Sequence, residues 1–255
     1  MEIREDCWLS SIFNHSAFRI DIGSAFQDGD LMAAKIPSLV RRHANEQSAA
    51  FYYAKVDTDQ IGIVKQLSQA GLYVVDVNVT FSLDPGVRDA VKPSTPSCSI
   101  HEISPTQHDQ VLDIAGSCFR YSRFHLDPQV PNEIADRIKR KWIQSYITGQ
   151  RGERLLVAAH GDKPVGFLAV IGSEAAGRRI RTIDLIGVGT GLQRQGVGRA
   201  LVAFFIDYYR ACDYLEVGTQ VANIPSIRLY TTFGFEIVRS QYVMHMSVLK
   251  RNQSN

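Results

Sequence analysis

A strand-like run, Thr182 to Val188, gives way to Gly189-Thr-Gly-Leu-Gln-Arg-Gln-Gly-Val-Gly198, and a helix-like run, Arg199 to Arg210, follows at once. No other feature limits the chain as tightly. A strand, a glycine-rich turn and a helix in direct succession imply an α/β architecture. The turn also leaves bare backbone N–H groups at a helix N-terminus, where the helix dipole is positive and phosphate is readily held.

Two common phosphate loops do not fit. A Walker A loop needs Lys-Ser/Thr after its last glycine, but Val197-Gly198 follow Gly196. A dinucleotide fingerprint needs a third glycine, but Arg194 stands there after Gly189-x-Gly191, and Leu201 after Gly196-x-Gly198. The pattern that is met is Q/R-x-x-G-x-G/A, over Gln193-Arg194-Gln195-Gly196-Val197-Gly198.

A second segment supports it independently: Asn223-Ile-Pro-Ser226-Ile-Arg-Leu229-Tyr230-Thr-Thr-Phe233-Gly234-Phe235. Asn223 and Ser226 fall near a helix start, where their side chains can bond backbone or ligand amides. Tyr230 follows Ser226 by one turn and shares its side of the helix. Gly234 suits a left-handed helix end, with Phe235 then entering the core. An isolated tyrosine would be read as a core residue with a satisfied hydroxyl; the full pattern argues for more.

The two segments together resemble the GNAT acetyltransferase superfamily, whose patterns are the pyrophosphate loop just described and N-x-x-[AS]-x-x-[LF]-Y-x-x-x-G-F. The resemblance implies a GNAT fold of α/β (α+β) class: a central mixed, mostly antiparallel sheet flanked by helices. It implies acetyl-CoA as co-substrate and no metal. The backbone of Ile186, Gly187 and Val188 would carry the pantetheine arm, and Val188 lies the usual five residues before Gln193. The N–H groups of Arg194, Gln195, Gly196, Val197, Gly198 and Arg199 would hold the pyrophosphate, with Asn223 and Ser226 nearby. Tyr230 is the expected general acid for the departing thiolate, since a phenol near pKa 10 has suitable acidity. Asp184, expected on the same strand face as Ile186 and Val188, is a candidate base or else a structural aspartate paired with a neighbour such as Arg181. His125 and Glu216 are weaker candidates.

The resemblance also assigns the acceptor site to the connection Cys118 to Pro128, between the first two helices of the fold. Arg120 and Arg123 suit a phosphate there, Tyr121 and Phe124 a base or sugar ring, and His125 completes the set. The same residues also read as a loop fixing itself by salt bridges and core aromatics. Ser122-Arg123-Phe124, Trp142-Ile143 and Val217-x-Thr219-Gln220-x-x-Asn223 resemble the nucleotide-sugar branch of the superfamily. So, more weakly, do Ala54-Lys55-Val56 and the run from Gln66-Leu67-x-x-x-Gly71 to Val79. The implied acceptor is the amine of a nucleotide-linked amino sugar. The alternatives are another small amine, an amino acid, a protein N-terminus, or a non-catalytic acyl-CoA-binding module. The hairpin-like insertion Glu174 to Arg181 sets this chain apart from that branch.

Composition narrows the classes further. The chain has 255 residues, 45% hydrophobic and 21% charged, with a net charge of +2, which gives no bulk attraction for nucleic acid or a membrane surface. Its four cysteines show no metal-ligand spacing. No apolar run approaches a spanning helix, and Met1-Glu-Ile-Arg-Glu-Asp does not read as a secretory signal. A cytoplasmic location is expected. The turn chemistry of Asp84-Pro-Gly and Lys92-Pro-Ser-Thr-Pro-Ser divides the chain into a small α/β domain at 1–90, a linker at 91–96 and the acetyltransferase-like domain at 97–255. Internal repeats are not visible. Two separate strands, 235–239 and 242–249, are expected at the end, the last free to pair with a second subunit in a homodimer.

Overall fold

The computed structural model describes residues 1–23, 33–86 and 98–249; the expected linker lies outside them. The described residues form the strands β1 (Glu2–Glu5), β2 (Ser16–Asp21), β3 (Ala49–Asp57), β4 (Tyr73–Leu83), β5 (Ser99–Glu102), β6 (Arg154–His160), β7 (Lys163–Ala175), β8 (Arg178–Val188), β9 (Tyr214–Gln220) and β10 (Glu236–Leu249). Their α-helices are α1 (Cys7–Phe13), α2 (Ile36–Asn45), α3 (Ile61–Ala70), α4 (His108–Ala115), α5 (Asn132–Ile147), α6 (Val197–Tyr208) and α7 (Ile224–Thr232).

All ten strands join one sheet in the order β1-β2-β3-β10-β4-β9-β8-β7-β6-β5. The pairs β2/β3 and β8/β9 are parallel and the other pairings antiparallel, the mixed, mostly antiparallel sheet expected. Hydrogen bonding runs straight through the sequence boundary, because β10 from the end of the chain lies between β3 and β4 from its first part.

Two corrections follow. The end of the chain is one strand, not two: irregularities near Val238 and Val243 are absorbed without breaking the pairing, which runs on through Ser240 and Gln241. That strand is also no edge. Both its sides are taken, by β3 and by β4, so it has no backbone groups left for a second subunit.

The sheet contains a repeat that the sequence hides. The run β2-α2-β3-α3-β4 has the same order and the same parallel first pair as β8-α6-β9-α7-β10. Each run's last strand crosses to lie beside the other run's second β-strand. Helices α3 and α7 end alike. Leu72 N–H donates to Leu67 C=O at 3.1 Å, and Phe235 N–H to Tyr230 C=O at 3.1 Å. Gly71 and Gly234 take the left-handed conformation between them, at φ +112° and +81°. Leu67 thus stands where the second run has Tyr230.

Four apolar clusters hold the layers. One packs α6 and α7 on the sheet through Leu201, Phe205, Val217 and Phe235; another packs α4 and α5 through Val111, Ile143, Phe167 and Leu185. The third lies under α2 and α3. The fourth joins α1 and α5 to the first run through Leu9, Phe51, Phe124 and Ile138. Each fully buried aliphatic or aromatic side chain contributes about 1.5–3 kcal/mol relative to exposure, so the helices are firmly seated on the sheet.

Candidate active site

Strand β8 pairs with β9 through only four residues, from Ile180↔Tyr214 to Ile183↔Val217. From Asp184 onward β8 stays paired with β7 while its β9 side diverges. The backbone of Ile186 to Val188 therefore presents an unpaired edge, the property that lets an extended ligand add as a strand. Gly187 is needed here: a Cβ would come within 2.7 Å of the Phe167 ring and 2.8 Å of Cys118 Sγ.

The glycine loop closes this edge. Gly189 N–H donates to Val165 C=O at 3.0 Å, and Gln193 Nε2 reaches back to Val188 C=O at 3.3 Å. Arg194 and Gly196 both adopt positive φ, +64° and +87°. Gly196 is the N-cap of α6 and supplies no side-chain cap, so the first-turn N–H groups of Val197, Gly198 and Arg199 have no side-chain acceptor. The loop from Gln193 to Gly196 is exposed, while Val197, Ala200 and Leu201 anchor the helix in the core. Arg199 lies over the Phe233 ring at 5.0 Å. The site residues of the loop are thus brought together on one open surface, and uncapped amides beside Gly196, which has no Cβ, fit a pyrophosphate.

Across the divergence, Asn223 caps α7. Its Oδ1 accepts from Ser226 N–H at 3.4 Å, and its Nδ2 donates to Thr219 Oγ1 at 3.2 Å. Tyr230 is 2% exposed, between Phe81 and Phe235. Burial raises its pKa well above the ordinary phenol value, against a lowering hydrogen bond with Ser226. The phenol therefore keeps its proton at neutral pH.

Asp184 is placed differently from expectation. In the β7/β8 pairing, Ala169 faces Leu185 and Val170 faces Ile183, leaving Asp184 as the extra residue of a bulge. A bulge breaks the alternation of side chains. Ile186 and Val188 pack toward α6, whereas Asp184 bonds to residues of α5 and the segment after it. Arg151 grips it through two bonds, Nε to Oδ2 at 2.7 Å and Nη2 to Oδ1 at 2.9 Å. Trp142 Nε1 and the Tyr146 hydroxyl add 2.8 and 2.7 Å bonds to Oδ2. Burial pushes the pKa up, but these donors outweigh it and the net shift is downward. Such a carboxylate is a weak base. Its partner is Arg151, not Arg181, which pairs with Glu153 at 2.6 Å.

Asp184 opens onto a cleft of about 1120 Å³. Tyr53, Lys55 and Asp57 of β3, Arg19 and Asp21 of β2, and Arg239 and Gln241 of β10 line one side. Trp8, Arg123, Phe124, Trp142, Arg151 and Asp184 line the other. Of the five residues expected in the acceptor loop, the fold brings Arg123 and Phe124 to this cleft. Arg120 and Tyr121 are exposed and do not line it. His125 is locked from both ring nitrogens, by Ser122 Oγ at 2.6 Å and Asp136 Oδ1 at 2.9 Å, so it holds the loop's shape. Glu216 lies on β9 away from the cleft lining, its pKa raised by burial.

The loop is fastened by a buried network. Asp127 accepts from the Tyr73 hydroxyl at 2.5 Å and Gln129 N–H at 2.8 Å, and bonds His245 Nδ1 at 2.7 Å. In the sequence, Ala54-Lys55-Val56 carries only a weak resemblance, with no site role attached to the first run. The available signal was alternation: Phe51, Tyr53, Lys55 and Asp57 share one face of β3, but nothing local says what that face meets.

Among the described residues no cluster of side chains could hold a metal ion, and no helix is long and apolar enough to cross a membrane. The model of the acetyltransferase (GNAT) family matches residues 109–235. The spore coat polysaccharide biosynthesis protein SpsD of Bacillus subtilis (strain 168) is 22% identical over 245 residues, covering 95% of this chain and 81% of that protein. The GCN5-related N-acetyltransferase of Sphaerobacter thermophilus superposes with a TM-score of 0.59 at 14% identity, over 91% of this chain and 72% of the other. A tandem GNAT protein from the clavulanic acid biosynthesis pathway gives a TM-score of 0.56 at 16% identity, over 91% and 75%.

Proposed function

With residues 109–235 a GNAT acetyltransferase domain, we propose that this acyltransferase moves acetyl from acetyl-CoA to the amine of a nucleotide-linked amino sugar by direct attack. The observation that carries the reading is the vertex of the β8/β9 divergence. The unpaired edge and the uncapped α6 amides lie on one side of it, and the Asp184 cleft begins at the same place.

In this reading Ile186 to Val188 hold the pantetheine arm and the α6 N-terminus holds the pyrophosphate. Acetyl-CoA supplies an activated thioester. Backbone N–H near Val188 polarises its carbonyl, and the amine enters from the cleft. As nitrogen bonds to the acyl carbon and the carbon–sulfur bond breaks, Tyr230 gives its proton to sulfur and the nitrogen sheds one to water. The raised pKa keeps the phenol protonated but makes it a weaker acid than a free phenol, so its proton passes to sulfur only as full thiolate charge develops there. We assign Asp184 a positioning role: its carboxylate orients Trp142 and Arg151 at the mouth of the cleft and does not take the amine proton.

The nucleotide-sugar acceptor is supported by the likeness to SpsD, named for polysaccharide biosynthesis, and by the arginine and aromatic side chains in the cleft. The test is thiol release from acetyl-CoA with nucleotide amino sugars, amino acids and short peptides as acceptors. Fastest turnover on nucleotide amino sugars is expected. Turnover confined to amino acids or peptides would discard the acceptor while keeping the chemistry.

A further inference from the structure

Five cations and four carboxylates line the cleft: Arg19, Lys55, Arg123, Arg151 and Arg239 against Asp6, Asp21, Asp57 and Asp184. Three pairs are made. Arg19 meets Asp21 at 2.7 Å, Arg239 meets Asp57 at 2.8 Å, and Arg151 meets Asp184 at 2.7 Å. Asp6 is occupied by the Tyr53 hydroxyl at 2.8 Å and by Leu9 N–H at 2.9 Å as the cap of α1. Lys55 and Arg123 remain, neither in a direct carboxylate salt bridge among the described residues; Asp76, across β10 from Lys55, and Asp6, beside Arg123, act on them only at longer range.

The Arg123 guanidinium lies over two rings, 4.1 Å from the Tyr53 centroid and 4.5 Å from that of Phe124. Its Nη1 is buried with no hydrogen-bond partner. A cation so placed is costly without a counter-charge. Desolvation by the cleft walls, then the charge of Arg123, lowers the Lys55 pKa to about 8, with Asp76 opposing the shift, although the residue as a whole is exposed to solvent. The same two causes bring Lys139, buried on α5, to about 8. Positive charge therefore accumulates where the acceptor loop meets β3.

We infer that Lys55 and Arg123, one from each part of the chain, form an anion subsite that holds the phosphate or carboxylate of the acceptor. The inference rests on the cleft being the acceptor site. The first run of the chain then supplies part of the binding machinery, and Lys55 is a specificity residue. A neutral amine lacks the group that this pair would neutralise.

Both tryptophans of the chain, Trp8 and Trp142, line the cleft with ring centroids 5.8 Å apart, so intrinsic fluorescence reports its occupancy. The experiment titrates the full chain, saturated with coenzyme A to block the pyrophosphate loop, with thymidine 5′-diphosphate, thymidine and glutarate. A saturable change is expected with the diphosphate and not with thymidine. Lys55→Gln and Arg123→Gln should each weaken diphosphate binding about tenfold or more, as for a lost charge-assisted contact. Arg123→Lys, which keeps the charge, should retain part of the affinity. Equal binding of thymidine and its diphosphate, or undiminished diphosphate binding by Lys55→Gln, overturns the subsite. Glutarate binding that both Gln variants lose, with no response to the diphosphate, upholds the anion subsite and transfers it to a carboxylate acceptor. Intact diphosphate binding without acetyl transfer to any nucleotide amino sugar removes the proposed acceptor and leaves the subsite standing.

Discussion

The two β-α-β-α-β runs share a topology and differ in chemistry. In the first, five of the six residues of β2 pair with β3; in the second, four of the eleven residues of β8 pair with β9. Helix α2 starts at Lys35 and Ile36 with Pro37, while α6 starts at the bare Gly196. Leu67, fully buried, fills the place that Tyr230 holds in the second run. The fold alone does not make a donor site. The proposed donor site needs an open strand edge, a glycine at the helix start and a phenol, and the first run lacks all three. What the first run offers instead is the face of β2 and β3 that lines the cleft.

Single substitutions separate the two runs at several points. The largest expected effect is on Asp184, where second-run chemistry and cleft architecture meet. Asp184→Ala leaves Arg151, Trp142 and Tyr146 without their acceptor and should cost about 3 kcal/mol in chemical denaturation at neutral pH, the low end for a broken buried pair because Arg151 keeps some contact with water. The folded pKa of Asp184 is depressed. Its contribution is therefore fully present above the ordinary aspartate value and is lost as pH falls through the folded one. The difference between wild type and Asp184→Asn should shrink in acid; a difference that grows would show the carboxylate is not stabilised in the fold.

Next comes the contrast between Tyr230 and Leu67. Tyr230→Phe should lower kcat about a hundredfold, the usual scale for losing a general acid, with KM for acetyl-CoA little changed. Unaltered turnover would remove the acid role and make Tyr230 the core residue that Leu67 is.

The smallest effects sharpen the same point through glycines. Gly196→Ala and Gly71→Ala each place a side chain at positive φ and should each cost about 1 kcal/mol, Gly71→Ala also pressing on Met246 Sδ at 3.2 Å. Only Gly196→Ala should raise KM for acetyl-CoA. A rise of similar size in Gly71→Ala would mean that the first run also touches the donor.

Much of the proposed donor site was legible because it is local. Gln193 to Gly198 and Asn223 to Phe235 are short segments whose spacing fixes a turn, a cap and a helix end, and the structure carries those features. The acceptor side was legible only in part. Arg123 and Phe124 reach the cleft, but Arg120 and Tyr121, equally suitable by residue type, face outward, and His125 is held by Ser122 and Asp136. Residue type gives what a side chain can bind, not which way a loop turns it.

Local residue spacing alone was enough for the class of the fold, the glycine turn at the α6 N-terminus and the helix end that carries Tyr230, since these depend on residues within one helical turn or one strand of each other. Only the folded chain sets the bulge that turns Asp184 toward α5, the seating of β10 between β3 and β4, and the presence of Lys55 and Arg123 in one cleft. Those outcomes depend on pairing register and on contacts between distant segments, where shifting one residue reverses the face a side chain occupies.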